Sequence, residues 1–255
     1  MWTDVLETSE DAVLGGRLRL RQPLRGHRVG HDAILLAAAT GGRAGEHAVD
    51  LGAGVGAAGL ALAARVAGLK VTLVEIDAAL CALASGNARL NKLDDRVNVL
   101  ACDAEDVEAL AAAGIAPGNA DRVLMNPPFH DATRQNLSPD PRRRLAHAAA
   151  PGLLPRWIAS AARLLKPQGV LTLIWRADAL AEVQSALTDV FGGVAVLPVY
   201  PRPDAPAIRV LLRAVKSGGA GVTYPGIILN DQDGKPTAAA EAILRGAGTL
   251  SITET

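Results

Sequence analysis

Val49-Asp50-Leu51-Gly52-Ala53-Gly54-Val55-Gly56 is the most informative stretch of this 255-residue chain. His47–Leu51 is an apolar run of strand length, and Ala57–Ala67 repeats apolar residues at helical spacing. Three glycines therefore fall where a strand hands over to a helix. Without a Cβ, the backbone there can turn tightly and approach a ligand closely. Open α/β sheets bind ligands at the carboxyl ends of their strands, beside such a turn.

Outward from this loop, short apolar runs alternate with helical patterns. Strands are expected at Lys70–Glu75, Arg96–Ala101, Asp121–Met125 and Gly169–Trp175. Helices are expected at Ala78–Leu90, Ala104–Ala113, Leu154–Leu165 and Ala177–Val190. This alternation predicts a parallel sheet with helices on both faces. Val194–Val199 and Ala207–Val215 have no helix between them, so a hairpin is expected, with one antiparallel strand at or near the sheet edge. Residues 41–215 form the expected central domain. Residues 1–40 precede it with a strand (Arg17–Leu24) and a helix that Asp32 would cap, read together as a lid. Residues 216–255 read as a small appendage: strand Tyr224–Leu229, a turn at Asp233–Gly234 and helix Ala238–Leu244.

Composition narrows the classes. Hydrophobic residues make up 49% and charged residues 20%, which excludes a wholly disordered, collagen-like or coiled-coil chain. Twenty-six basic residues balance 26 acidic ones, so a uniformly basic nucleic-acid coat is excluded while a local basic patch is not. Cys81 and Cys102 form no CxxC pair, and no metal-ligand spacing occurs, so no metal is expected. Met1–Asp11 lacks an apolar signal core, and no run reaches the ~18 apolar residues of a spanning helix. A soluble cytoplasmic protein without membrane contact is the expectation.

Two cofactor frames overlap in the glycine loop. Gly54–Gly59 matches GxGxxG, the dinucleotide fingerprint. The earlier frame, Asp50-x-Gly52-x-Gly54-x-Gly56, is the pattern associated with S-adenosylmethionine. A carboxylate at Asp50 suits an ammonium and a sulfonium better than a pyrophosphate. Glu75 ends the second strand, where its oxygens can hold ribose hydroxyls. Asp103 follows the third strand and can accept from an adenine amino group. The bland alternative is a tight turn with Glu75, Asp77 and Asp103 as helix caps.

Asn126-Pro127-Pro128-Phe129 separates the frames. The prolines stop the fourth strand and stiffen the turn. The Asn126 side-chain oxygen and the Pro127 carbonyl are two acceptors that can grip a planar NH₂ group. Phe129 offers a face on which a flat ring can stack. An exocyclic amine is a poor nucleophile because its lone pair is delocalised. Two acceptors that favour a pyramidal nitrogen stabilise the attacking geometry selectively.

Together, the glycine loop, Glu75, Asp103 and Asn126–Phe129 resemble class I S-adenosylmethionine-dependent methyltransferases of the amino-group type. The resemblance covers about residues 20–215. A finer similarity is to bacterial tRNA (adenine-N6) methyltransferases of the valine-tRNA type. It rests on Gln22-Pro23 with Gly26–Leu36, on Ser138-Pro139 and Arg144–His147 after the NPPF motif, and on Ala207–Leu212. The resemblance implies a Rossmann-like seven-stranded α/β sheet with one antiparallel strand. It implies S-adenosylmethionine as cofactor, RNA (tRNA) as partner, and a cofactor contact for Arg28 and Gly30. His130 departs from that group: NPPFH resembles guanine-N2 methyltransferases of ribosomal RNA, and glutamine methyltransferases of release factors share the motif too.

Arginines mark a candidate RNA surface. Arg17, Arg19, Arg21, Arg25 and Arg28 cluster near the N-terminus. Arg134 with Arg142, Arg143 and Arg144 lie in the long loop after NPPF, where Arg142–Arg144 are the candidate substrate-binding set. The resulting expectation is methyl transfer to an exocyclic amine, adenine N6 in tRNA. Alternatives are guanine N2 in ribosomal RNA, a release-factor glutamine, an NAD-dependent oxidoreductase, or a non-catalytic binding module.

Overall fold

The computed structural model of the chain describes residues 7–25, 28–128, 152–250 and 252. The central strand of the sheet is β3 (His47–Leu51). On one side lie β4 (Lys70–Glu75) and then β5 (Val97–Ala101). The chain then crosses back as β6 (Ala120–Met125) to the other side of β3, with β7 (Leu165–Arg176) beyond it. A hairpin of β8 (Phe191–Tyr200) and β9 (Arg209–Lys216) completes that side, with β9 inserted between β7 and β8. β9 runs antiparallel to both neighbours, and the other pairs of this sheet are parallel. The hairpin and its antiparallel strand thus match the expectation.

The sheet does not stop at seven strands. β10 (Val222–Thr223) and β11 (Ile227–Ile228) pair in parallel along the outer edge of β8, giving nine. The expected single strand Tyr224–Leu229 is therefore corrected to two short pieces. Between them, Pro225 lacks an N–H to donate. Gly226 has φ +96°, and a Cβ there would lie 2.5 Å from the Pro198 carbonyl oxygen. These pieces cover an edge that would otherwise expose unpaired backbone groups.

Helices cover both faces. α1 (His31–Thr40), α2 (Ala57–Arg65), α3 (Ala78–Leu90) and α7 (Ala238–Leu244) share one apolar cluster. α4 (Val107–Ala112), α5 (Leu153–Leu164) and α6 (Leu180–Leu187) share the other. Both flanking segments enter the first cluster. Leu14, Leu18 and Leu20 come from the N-terminal side, and Ala240, Ile243, Leu250 and Ile252 from the C-terminal side. With few aromatics, the cluster is built from Leu, Ala and Val, whose small side chains let α1 and α2 lie close together.

The N-terminal strand is a hairpin: β1 (Thr8–Val13) pairs antiparallel with β2 (Leu18–Pro23). Among the described residues, the far edge of β2 meets no third strand. Two amides, one in α3 and one at its C-cap, take its place. Asn87 accepts from the Arg21 N–H (2.7 Å) and donates to the Arg21 carbonyl (3.0 Å). Asn91 does the same for Arg19, at 2.8 and 2.7 Å. The spacing matches because i, i+2 on a strand and i, i+4 on a helix both span about 6–7 Å. Asn87 also donates to the Val55 carbonyl at 3.0 Å, so the buried amide joins hairpin, helix and glycine loop. Asn87→Ala leaves all three backbone groups without this partner. It is expected to destabilise the fold by about 3 kcal/mol in urea denaturation. A loss below about 0.5 kcal/mol, the size of an ordinary surface change, would contradict that role.

One helix start is corrected. Gly30, not Asp32, is the N-cap of α1, and no side chain caps it. Asp32 lies in the first turn, and its Oδ2 accepts from Arg209 Nε at 2.9 Å, tying α1 to β9.

Candidate active site

Strand order reverses between β3 and β6, so the crevice of this sheet opens at their carboxyl ends. Leu51 is registered with Met125 on one side and with Val74 on the other. Gly52, Asn126 and Glu75 are thus the next residues on three adjacent parallel strands. Neighbouring strands lie about 4.8 Å apart, which brings the glycine loop, the NPP turn and this carboxylate to one level.

The loop is held by backbone donors and two carboxylates. The N–H groups of Gly52 and Ala53 both donate to the Val74 carbonyl, at 2.9 Å. Glu75 Oε2 accepts from the Gly54 N–H at 2.8 Å, and its Oε1 accepts from the Asp77 N–H at 2.9 Å. Each oxygen keeps a second lone pair for a ligand hydroxyl. Gly54 has φ +58°, and a Cβ on it would meet nothing within 4 Å, so the loop presents bare backbone to open space. Gly52 (φ +70°) differs: its Cβ would lie 2.4 Å from the Trp157 ring. Trp157, on α5, is the floor of the turn.

Asp50 is turned inward. It is 2% exposed, and its Oδ2 accepts from the Gly59 N–H at 2.8 Å. Its carboxylate thus ties the strand end to the first turn of α2. Burial pushes its pKa up to about 7, opposed by the Gly59 hydrogen bond and aided by the nearby Glu75 charge. A raised carboxyl pKa means the native state binds the proton that the unfolded chain releases. Its stabilising contribution is present below about pH 4 and is lost as pH rises through about 7. The slope between these limits is at most about 1.4 kcal/mol per pH unit. Half-buried His47 slopes the other way below about pH 6.5, because partial burial lowers its pKa. The difference between wild type and Asp50→Asn cancels that term. Wild type is expected to lose stability relative to the variant between pH 5 and pH 8 in urea denaturation, and parallel curves would refute the assignment.

Asn126 carries the sharpest signal. Its Oδ1 is buried and has no hydrogen-bond partner among the described residues. A buried acceptor left open costs about 1–3 kcal/mol, so such atoms are kept where a ligand satisfies them. Pro127 is buried and Pro128 half-buried, fixing the turn that presents the amide. Ile76, directly after Glu75, is 63% exposed and offers an apolar surface at the mouth of the crevice.

A family model described as the methyltransferase small domain matches residues 29–199. The chain belongs to that family. Among curated relatives, a tRNA1(Val) (adenine(37)-N6)-methyltransferase of Porphyromonas gingivalis is 33% identical over 163 residues, covering 62% of each chain. The chain thus spans about three fifths of that relative's length. One of the same name from Shewanella amazonensis is 27% identical over 220 residues, covering 86% of this chain and 91% of the relative. A crystal structure from Agrobacterium tumefaciens, described as a predicted O-methyltransferase, superposes with TM-score 0.72 at 28% identity. It covers 86% of this chain and 98% of that one. The sheet order and these likenesses give this family member the class I methyltransferase α/β fold.

Within this family member, Gly52, Gly54, Gly56, Glu75, Asn126, Pro127 and Pro128 lie at or next to the carboxyl ends of β3, β4 and β6. Asp103 follows β5 and is exposed; its Oδ1 accepts from the Glu105 N–H at 2.9 Å, forming a local turn rather than a helix cap. Asp106 caps α4 and Asp77 caps α3. Arg28 is engaged away from the loop, by Asp11 Oδ2 at 2.9 Å and Ser9 Oγ at 3.1 Å. Gly30 only begins α1. Phe129, His130, Arg134, Ser138-Pro139, Arg142, Arg143, Arg144 and His147 lie outside the described residues.

The N-terminal arginines are largely committed. Arg19 and Arg21 share the exposed face of β2, but both pair with Glu10 across the hairpin. Arg17 instead donates to the carbonyls of Gly246 and Ala64. Sequence reasoning missed Trp157, Ile76 and Asn87, whose roles arise from contacts between distant elements. Among the described residues, no His/Cys/Asp/Glu group could hold a metal, and no helix is long and apolar enough to cross a membrane.

Proposed function

We propose that the protein transfers a methyl group from S-adenosylmethionine to an exocyclic amine, adenine N6 in tRNA. The open, buried Asn126 Oδ1 beside the glycine loop carries the reading. The residues present fit the cofactor: Gly54 leaves open space, Glu75 keeps free lone pairs and Ile76 exposes an apolar face. When bound, S-adenosylmethionine supplies a sulfonium-activated methyl group.

The chain's own residues do the rest. Glu75 accepts from ribose hydroxyls while holding the Gly54 N–H, and Ile76 packs on the adenine, with Asp103 Oδ2 available to its amino group. Asn126 Oδ1 and the Pro127 carbonyl accept the two hydrogens of the substrate amine. They favour a pyramidal nitrogen whose lone pair faces the methyl carbon, and Phe129 stacks on the base. Positioning and paired acceptors suffice, so no strong base is needed. Arg142–Arg144 are the RNA-phosphate contacts, and the setting is the cytoplasm. The tRNA assignment draws support from the names of the two curated relatives.

The test is transfer of labelled methyl to unmodified tRNA, ribosomal RNA and release factor offered separately, with the product identified by mass. N6-methyladenosine from tRNA is expected. N2-methylguanosine or methylglutamine would overturn the substrate and keep the chemistry. Cofactor binding without any transfer would favour a non-catalytic module.

A further inference from the structure

A second cavity, of about 530 Å³, opens beneath the C-terminal end of α1. Its lining includes Arg43, Arg65, Arg122 and Arg213, with no acidic residue among the lining groups. Neither the glycine loop nor the NPP turn contributes to it. Three of these arginines are accounted for. Glu46 holds Arg122 through two bonds, at 3.0 and 3.2 Å. Carbonyls of Ile243 and Gly248 hold Arg65. Arg43 is exposed at the rim.

Arg213 is different. It lies on β9, is 6% exposed, and its buried Nε has no hydrogen-bond partner among the described residues. Burial and the like charge of Arg122 pull its pKa down, and the nearby Tyr224 acts in the opposite direction. Directly across the ladder is Thr172, on the same face, fully buried, with an Oγ1 that also lacks a partner. Of this pair, Arg213 itself lines the cavity, whose other cations are Arg43, Arg65 and Arg122. A buried, charged N–H left without an acceptor is costly, and an anion would complete it. The planar donor fork of arginine matches a tetrahedral oxyanion.

We propose that the Arg213 cavity is a binding site for the phosphate group of a small phosphorylated molecule, separate from the methyl-transfer crevice. Arg213 and Arg122 flank the phosphate, and Arg43 closes the rim. The volume falls in the range of small-ligand sites. The inference stands independently of the substrate proposed above.

Pyrophosphate is the probe, titrated calorimetrically against sodium chloride at matched ionic strength. Saturable binding at one site per chain is expected. Arg213→Met should weaken it at least ~10-fold and Arg43→Ala severalfold. Without pyrophosphate, Arg213→Met should melt no lower than wild type, because it removes an unpaired buried charge. A structural arginine would instead leave the variant less stable. Arg43 is exposed, so its variant carries the test even if the Met variant folds poorly. No saturable binding above chloride, or equal binding by wild type and Arg43→Ala, would overturn the site. If tRNA affinity fell with Arg213→Met as far as pyrophosphate affinity does, the phosphate would belong to RNA and the small-molecule assignment would fail.

Discussion

Asn126→Ala should lose methyl transfer by about 10²–10³-fold while S-adenosylmethionine affinity stays within about twofold. The reason lies in where the amide points. Its Oδ1 is buried and unsatisfied in the free protein, so nothing in the fold depends on it. Removing it costs no native hydrogen bond, and the unbound variant should be at least as stable as wild type. The loss then falls on the step in which the amine becomes pyramidal, because only there is the acceptor pair used fully. Asn126→Asp keeps an acceptor at that position and should retain more activity than Ala. A large drop in cofactor affinity would instead place Asn126 in the cofactor pocket.

Glu75→Ala should act at the other end of the reaction. The carboxylate holds the Gly54 N–H and the Asp77 N–H, and on the proposed function its remaining lone pairs would accept from ribose hydroxyls. Hydrogen bonds to a charged group contribute about 1.5–3 kcal/mol each, so losing two ligand bonds predicts ~10²–10⁴-fold weaker cofactor binding. The loop also loses the tie that fixes Gly54, which adds an ordering cost to binding. Glu75→Gln keeps an acceptor for one backbone N–H and should fall between. Equilibrium binding of S-adenosylhomocysteine measures both variants without turnover. Unchanged affinity in Glu75→Ala would remove Glu75 from the cofactor site.

Much of the architecture was legible because its signals are local. The apolar periods of Lys70–Glu75 and Ala78–Leu90 mark β4 and α3 with these same bounds, and Ala238–Leu244 marks α7 likewise. The glycine loop and the NPP turn were readable because glycine and proline restrict the backbone where they stand. β1 was not readable. Thr8–Val13 has no fully buried residue, so no apolar alternation betrays a strand that is held by pairing with β2. The docking of β2 onto Asn87 and Asn91 was equally hidden, since an amide that replaces a strand leaves no periodic trace. Asp32 looked like a cap because Asp favours that position, yet a long-range pair with Arg209 claims it.

The site divides in the same way. Gly52, Glu75 and Asn126 were visible as motif residues, and the register of β3, β4 and β6 explains why they meet. Asp50 was visible too, but its carboxylate serves the Gly59 N–H, which only the packing of α2 reveals. Arg28 and the hairpin arginines drew notice as a basic cluster. Their acidic partners, Glu10 and Asp11, lie on the strand that sequence did not disclose.

The most direct test of the amine-activation claim is a crystal structure with S-adenosylhomocysteine and an unmodified tRNA anticodon stem-loop. The account predicts the exocyclic nitrogen of a flipped-out adenine about 3 Å from both Asn126 Oδ1 and the Pro127 carbonyl oxygen. A cofactor seated on the glycine loop while Asn126 Oδ1 contacts protein alone, with the amine elsewhere, would contradict it.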